Sequence, residues 1–143
     1  MKQIRLILLA AAVLTLGAAW AQDLSPALPS GYVNASELLP LPEFIPGAGA
    51  LYIDPANAPV GPWLSYGNDG KLVEVLFMVP VSQMTEGANW DDLAAGTFEE
   101  LGISTLDHVD ITFNPGHAGM AEAHYHFRLA LIDHESQQAA LSE

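Results

Sequence analysis

The run Asp107-His108-Val109-Asp110-Ile111-Thr112-Phe113, followed after a loop by His124-Tyr125-His126-Phe127-Arg128-Leu129-Ala130-Leu131, decides the fold class. Both runs alternate with period two, the spacing of a β-strand with one apolar and one polar face. Val109, Ile111 and Phe113 line one side of the first run, and Tyr125, Phe127, Leu129 and Leu131 one side of the second. The opposite sides carry His108, Asp110 and Thr112, and His124, His126 and Arg128. When the two runs pair as antiparallel strands, those six polar groups share one sheet face.

Parity leaves two close registers, because opposed residues must point to the same face. Paired numbers summing to 236 set Asp110 across from His126 and His108 across from Arg128; a sum of 238 sets Thr112 across from His126 and Asp110 across from Arg128. Opposed Cβ atoms lie about 4.5–5.5 Å apart, so either register lets imidazoles and a carboxylate meet one ion.

His124-x-His126 is a spacing that metal sites on sheets exploit, since both rings project the same way. A third nitrogen would come from His108 or from His117 in the intervening loop, with Asp110 as a ligand or as the acceptor that fixes a histidine tautomer. The chain has no cysteine. That removes thiol catalysis, redox exchange and thiolate ligation, so a metal here is a nitrogen- and oxygen-bound transition metal such as zinc or copper. The competing reading is a structural one, in which Arg128, Asp110 and the imidazoles hydrogen-bond across a subunit interface. No residue set names a reaction, so a non-enzymatic protein is the expectation. His134-Glu135-Ser136-Gln137-Gln138 lacks the second histidine of a zincin helix, and Trp63-Leu64-Ser65-Tyr66-Gly67 lacks the first glycine of a nucleophile elbow.

Upstream, Lys71 to Val79 is apolar on nearly both faces and reads as the central strand. Asp69-Gly70 before it marks a hairpin from Trp63–Tyr66. Glu74 interrupts the apolar run, as a solvated strand end or as a partner for Arg128. Eight of the ten prolines fall between residues 22 and 62, which excludes long helices there and predicts an extended, apolar arm with a short strand near residues 48–53. Asn34-x-x-Glu37 is a capping box for one helical turn. Asn89, with Asp91 and Asp92 behind it and Gly96 as a stop, predicts one short helix; Thr97-x-x-Glu100 before Gly102 predicts another. The tail from Asp133 reads as a frayed helix.

Residues 1–21 read as a secretory signal peptide: Lys2 and Arg5, the apolar run Leu6 to Leu14, then Ala19-Trp20-Ala21. Removing 21 of 143 residues leaves 122, one domain, with residues 22–62 as the proline-rich arm and first strand and 63–143 as its sheet-dominated remainder. Lys71 and Arg128 then face all 17 carboxylates, a formal charge of −15. Such a surface repels nucleic acid and anionic headgroups, so neither is an expected partner; the signal peptide predicts a secreted or periplasmic setting with no stable membrane span after cleavage.

The residues Asp107 to Met120, followed by Ala123-His124-Tyr125-His126-Phe127, resemble a family of small exported bacterial domains of unknown function, typified by a Thermus protein under sigma-E and anti-sigma-E control. The likeness extends over Gly47 to Pro55 and Gly70 to Pro80. Family members carry Gly-His-Pro-Gly where this chain has Gly116-His117-Ala118-Gly119. The resemblance implies a ring-like homo-oligomer linked to envelope stress, with no established enzymatic activity. The expectation is therefore an α+β domain built on an antiparallel sheet, serving as an oligomeric envelope-associated binding or structural protein. The alternative is a metal-binding protein or metal-dependent enzyme using His108, Asp110, His117, His124 and His126.

Overall fold

The strand Leu72–Pro80 is buried at all nine positions, which requires a neighbour on each edge and a covering layer on each face. The computed structural model describes residues 25–142 and supplies all four. Six strands, β1 (Val33–Asn34), β2 (Ala50–Ile53), β3 (Trp63–Tyr66), β4 (Leu72–Pro80), β5 (His108–Asn114) and β6 (His124–Ala130), form one sheet in the order β1-β2-β3-β4-β6-β5. Every pairing is antiparallel. Four short helices accompany it, α1 (Ala35–Leu38), α2 (Val81–Thr85), α3 (Ala95–Leu101) and α4 (His134–Ala140). The fold is α+β, as the alternation predicts, and β4 is the central strand. The signal peptide expected over residues 1–21 lies outside the described residues.

The two sheet faces have different covers. On one, Leu64, Tyr66, Val75, Phe77 and Val79 pack with Ala94 and Leu101, and with Trp90 and Phe98 at the margin. On the other, Ile53, Trp63, Leu76 and Met78 pack with Ala35 and Met120, Leu51 of β2 flanks them, and Leu39 and Leu41 close over them. Leu39 and Leu41 come from the proline-rich segment, whose apolar residues thus cover the chain's own sheet. The capping box forms: Asn34 Oδ1 accepts from the Ser36 N–H at 2.9 Å, and Glu37 Oε1 from the Asn34 N–H at 3.2 Å.

Three expectations need correction. No helix begins at Asn89: Asp92 and Ala94 both take positive φ, which breaks the segment, and α3 starts at Ala95 so that Thr97 lies inside it. The helix after Pro80 is α2 instead, closing just before Gly87 at φ +79°. The tail is not frayed, since Asp133 caps α4 through the Ser136 N–H at 3.0 Å, and Gln137 and Leu141 are buried.

Glu74 is the third. It is no solvated end but 1% exposed, and Arg128 holds it from β6, with Nε 3.0 Å from both carboxylate oxygens and Nη2 2.9 Å from Oε1. Gln137 of α4 donates to Oε2 at 2.7 Å. The pair neutralises a charge that burial would otherwise make costly, and ties β4, β6 and α4 together. Replacing Glu74 by Ala strands the guanidinium without a counter-charge. The expected cost is about 3 kcal/mol of unfolding free energy, the low end for a broken buried pair because Arg128 retains some exposure. Urea denaturation measures it, and a loss under about 1 kcal/mol would mean the pair behaves like a surface one.

Candidate metal centre

The register decides what the polar face can assemble. β5 pairs with β6 so that Asp110 faces Arg128, Thr112 faces His126 and His108 faces Ala130, the 238 register. The ion pair that this register favours between Asp110 and Arg128 does not form, because Arg128 turns to Glu74 on β4, its other neighbour. His126 in turn lies between Met78 of β4 and Thr112 of β5.

His124 and His126 project from the same side of β6. The loop joining β5 to β6 brings His117 back over them. Two glycines make that return possible: Gly116 at φ +126° and Gly119 at φ +89°, where side chains are strained. Asn114 Oδ1 accepts the Gly116 N–H at 2.8 Å, and His117 and Met120 exchange backbone hydrogen bonds of 2.8 and 3.0 Å. Met120 anchors the loop in the apolar cluster beneath. A Cβ at Gly119 would stand 2.5 Å from Leu39 Cδ1, so the loop also lies directly against the proline-rich segment.

The result is a triangle of ring nitrogens. Nε2 of His124 lies 2.9 Å from Nε2 of His126 and 3.2 Å from Nε2 of His117, and the third side is 3.3 Å. Nitrogens at 2.0–2.1 Å from a tetrahedral zinc sit about 3.3–3.4 Å apart, and cis nitrogens of an octahedral ion about 3 Å apart. Backbone carbonyls fix two of the tautomers. His124 Nδ1 donates to Glu122 O at 2.6 Å and His117 Nδ1 to Ala118 O at 2.8 Å. A ring in that neutral tautomer presents only a lone pair on Nε2, and two such rings set side by side are two acceptors that a cation can bridge. A cation at the centre satisfies all three.

Electrostatics keep His126 in the ligating form. Burial first, then the neighbouring His124, His117 and Arg128, push the His126 imidazole down to about 4. His108 shows the reverse. Its Nδ1 lies 2.9 Å from Asp107 Oδ1, the main cause of its raised pKa, and its Nε2 is 3.5 Å from Asp110. Together with His134, His108 and Asp110 make a second group whose candidate ligand atoms lie within 4.8 Å of one another. That group favours an imidazolium among carboxylates rather than a neutral ligand. Of the five residues expected to bind metal, the structure therefore brings together His117, His124 and His126 and separates them from His108 and Asp110. Gln137, the partner of buried Glu74, had no signal in the sequence. The signal for His117 was its flanking glycines.

His117 and His126 border a cavity of about 430 Å³. His117, His126, Arg128 and Glu74 are among its lining residues, and Leu39, Leu41, Leu51, Trp63, Leu76 and Met78 give it an apolar wall. Arg128 Nη2 also donates to the Gly47 carbonyl at 3.1 Å, which spans the cavity from sheet to covering segment. Among the described residues, no helix is long and apolar enough to cross a membrane.

The chain is similar to a solved structure, the crystal structure of hypothetical protein TTHB210 from Thermus thermophilus. The two share 42% sequence identity and a TM-score of 0.66, over 71% of this chain and 93% of that one. No family model and no curated protein matches the chain.

The depressed His126 pKa has a thermodynamic consequence for the metal-free protein. Above about pH 6.5 the ring is neutral folded and unfolded; between there and about 4 the unfolded chain takes up a proton that the folded state refuses. Stability therefore falls as pH drops through that window. Thermal melts of chelator-treated protein from pH 7 to pH 5 should show this loss, and His126→Asn should flatten it. An unchanged slope in the variant would mean that His126 is not held neutral by its neighbours.

Proposed function

The chain belongs to the family of the Thermus thermophilus hypothetical protein TTHB210, whose description names no activity, and from the geometry of its own site we propose that it binds one transition-metal ion through His117, His124 and His126. The observation that carries this reading is the convergence of three Nε2 atoms within 3.3 Å, on two rings whose Nδ1–H is engaged by a backbone carbonyl. Polar atoms that face one another with no proton to share are costly unless a cation lies between them. Three neutral imidazoles suit zinc, copper(II), nickel or iron(II), and leave at least one position for water or an exogenous donor.

Binding, rather than hydrolysis, is the activity that these residues support. Among the described residues no carboxylate joins the three nitrogens, and Glu74, the acid lining the adjacent cavity, is committed to Arg128 and Gln137. An extracytoplasmic setting is supported by the basic, apolar and Ala-x-Ala start of the chain. Self-association is supported by the edge strand β5, on which Val109, Ile111 and Phe113 are 50%, 58% and 58% exposed in one row. A second copy covering that row would remove a long apolar edge from water.

Native mass spectrometry of the mature protein reads metal and subunit number together. One equivalent of zinc, copper, nickel or iron per chain is expected. His117→Ala should lower affinity by more than about 100-fold, beyond what loss of an outer-shell partner costs. His108→Ala and Asp110→Ala should leave it unchanged. Metal that follows His108 instead, or no stoichiometric metal, would falsify the assignment. In the same spectra Ile111→Asp should shift any assembly toward monomer, and a solely monomeric wild type would remove the association.

A further inference from the structure

Resting on that metal assignment, we propose that the cavity beside the triad is a binding site for a small apolar monocarboxylate, whose carboxylate completes the metal's coordination while its hydrocarbon body lies between the sheet and the proline-rich segment. Three observations support it. The cavity volume, about 430 Å³, falls in the range of small-molecule sites. Its wall is divided chemically: His126 and Arg128 stand side by side on β6, whereas Leu51 of β2 and Leu39 and Leu41 of the proline-rich segment form an apolar part. The site's charge is also unbalanced in one direction. Glu74 and Arg128 cancel each other, so a divalent ion held by three uncharged imidazoles would leave an excess of positive charge beside an apolar wall. An anionic oxygen donor offsets that charge where a neutral alcohol cannot, and a cationic head is repelled. The apolar body is required too, because a short acid would leave the leucine wall facing water.

Cobalt(II) serves as the metal, since its visible absorption reports changes in its ligands, and octanoate as the probe. Cobalt-loaded protein titrated with octanoate should show a saturable spectral change. Acetate, with the head but not the body, should need at least tenfold higher concentration. So should octan-1-ol, with the body but not the head. Leu41→Trp, which fills the cavity from the covering segment, should retain one cobalt and lose octanoate binding by at least tenfold. Metal-free protein followed by calorimetry should bind octanoate at least tenfold more weakly.

The outcomes separate the two readings. Cobalt bound, with octanoate inert or no better than acetate, overturns the carboxylate site and leaves the metal assignment standing. Octanoate that binds equally well without cobalt or in Leu41→Trp is held elsewhere, and also overturns it. Failure to bind cobalt stoichiometrically overturns both.

Discussion

A strand paired on both edges has no freedom of register, and β6 is such a strand. Seven residues, His124 to Ala130, are matched one for one with β4 on one side and β5 on the other. A slip by one residue would turn His124, His126 and Arg128 toward the face covered by α3, and Phe127 and Leu129 toward the cavity. Both faces would then be wrong at once, one burying charge and the other filling a polar site with hydrocarbon. The histidine pair is therefore positioned by the hydrophobic effect acting on its neighbours in sequence. Phe127 and Leu129 pack against the cluster around Leu64 and Phe77, and so aim the intervening side chains the other way.

Glu74 has a parallel role on β4. A carboxylate buried to this degree beside an apolar cavity is a candidate metal ligand or base, unless something else consumes its lone pairs. Arg128 and Gln137 do so with four short hydrogen-bond and ion-pair distances. The same contacts hold α4 to the sheet. One network thus closes the C-terminal end of the chain onto the fold, and leaves His117 and His126 as the imidazoles bordering the cavity.

Much of this architecture is legible in the sequence where one local rule governs one element. Period two marks β5 and β6, Asp69-Gly70 marks the β3–β4 turn, and Asn34 with Glu37 marks α1. The helix expected at Asn89 shows where such rules fail. Its capping residue and acidic first turn are correct for a helix, but Trp90 and Ala94 are drawn onto the sheet instead, and the chain takes left-handed φ at Asp92 and Ala94 to bring them there. The candidate site is half legible for a related reason. Alternation tells which side a residue faces, and so placed His108, Asp110, His124 and His126 together. It says nothing about distance along the strands, which here separates His108 from the triad, nor about a loop that doubles back. His117 joins through Gly116, Gly119 and the anchor of Met120, none of which has a periodic signature. Glu74 and Arg128 are 54 residues apart, and only the sheet order makes them neighbours.

With Nδ1–H of His117 and His124 engaged by backbone carbonyls, neutral rings in the metal-free triad would set lone pair against lone pair. Their Nδ1 hydrogen bonds hold the rings with lone pairs directed inward before any cation arrives, so little reorganisation accompanies binding. The cost would fall on the apo fold at the His117 loop, which is held by its backbone bridge to Met120, by Asn114 Oδ1 on the Gly116 N–H and by the buried Met120 side chain. Occupancy of the site removes the repulsion and binds that loop to β6, so metal affinity and local stability are the same free energy seen from two sides. The loop also lies against Leu39. A cation that fixes it therefore fixes the adjoining wall of the cavity, which couples the shape of the apolar site to the presence of the ion.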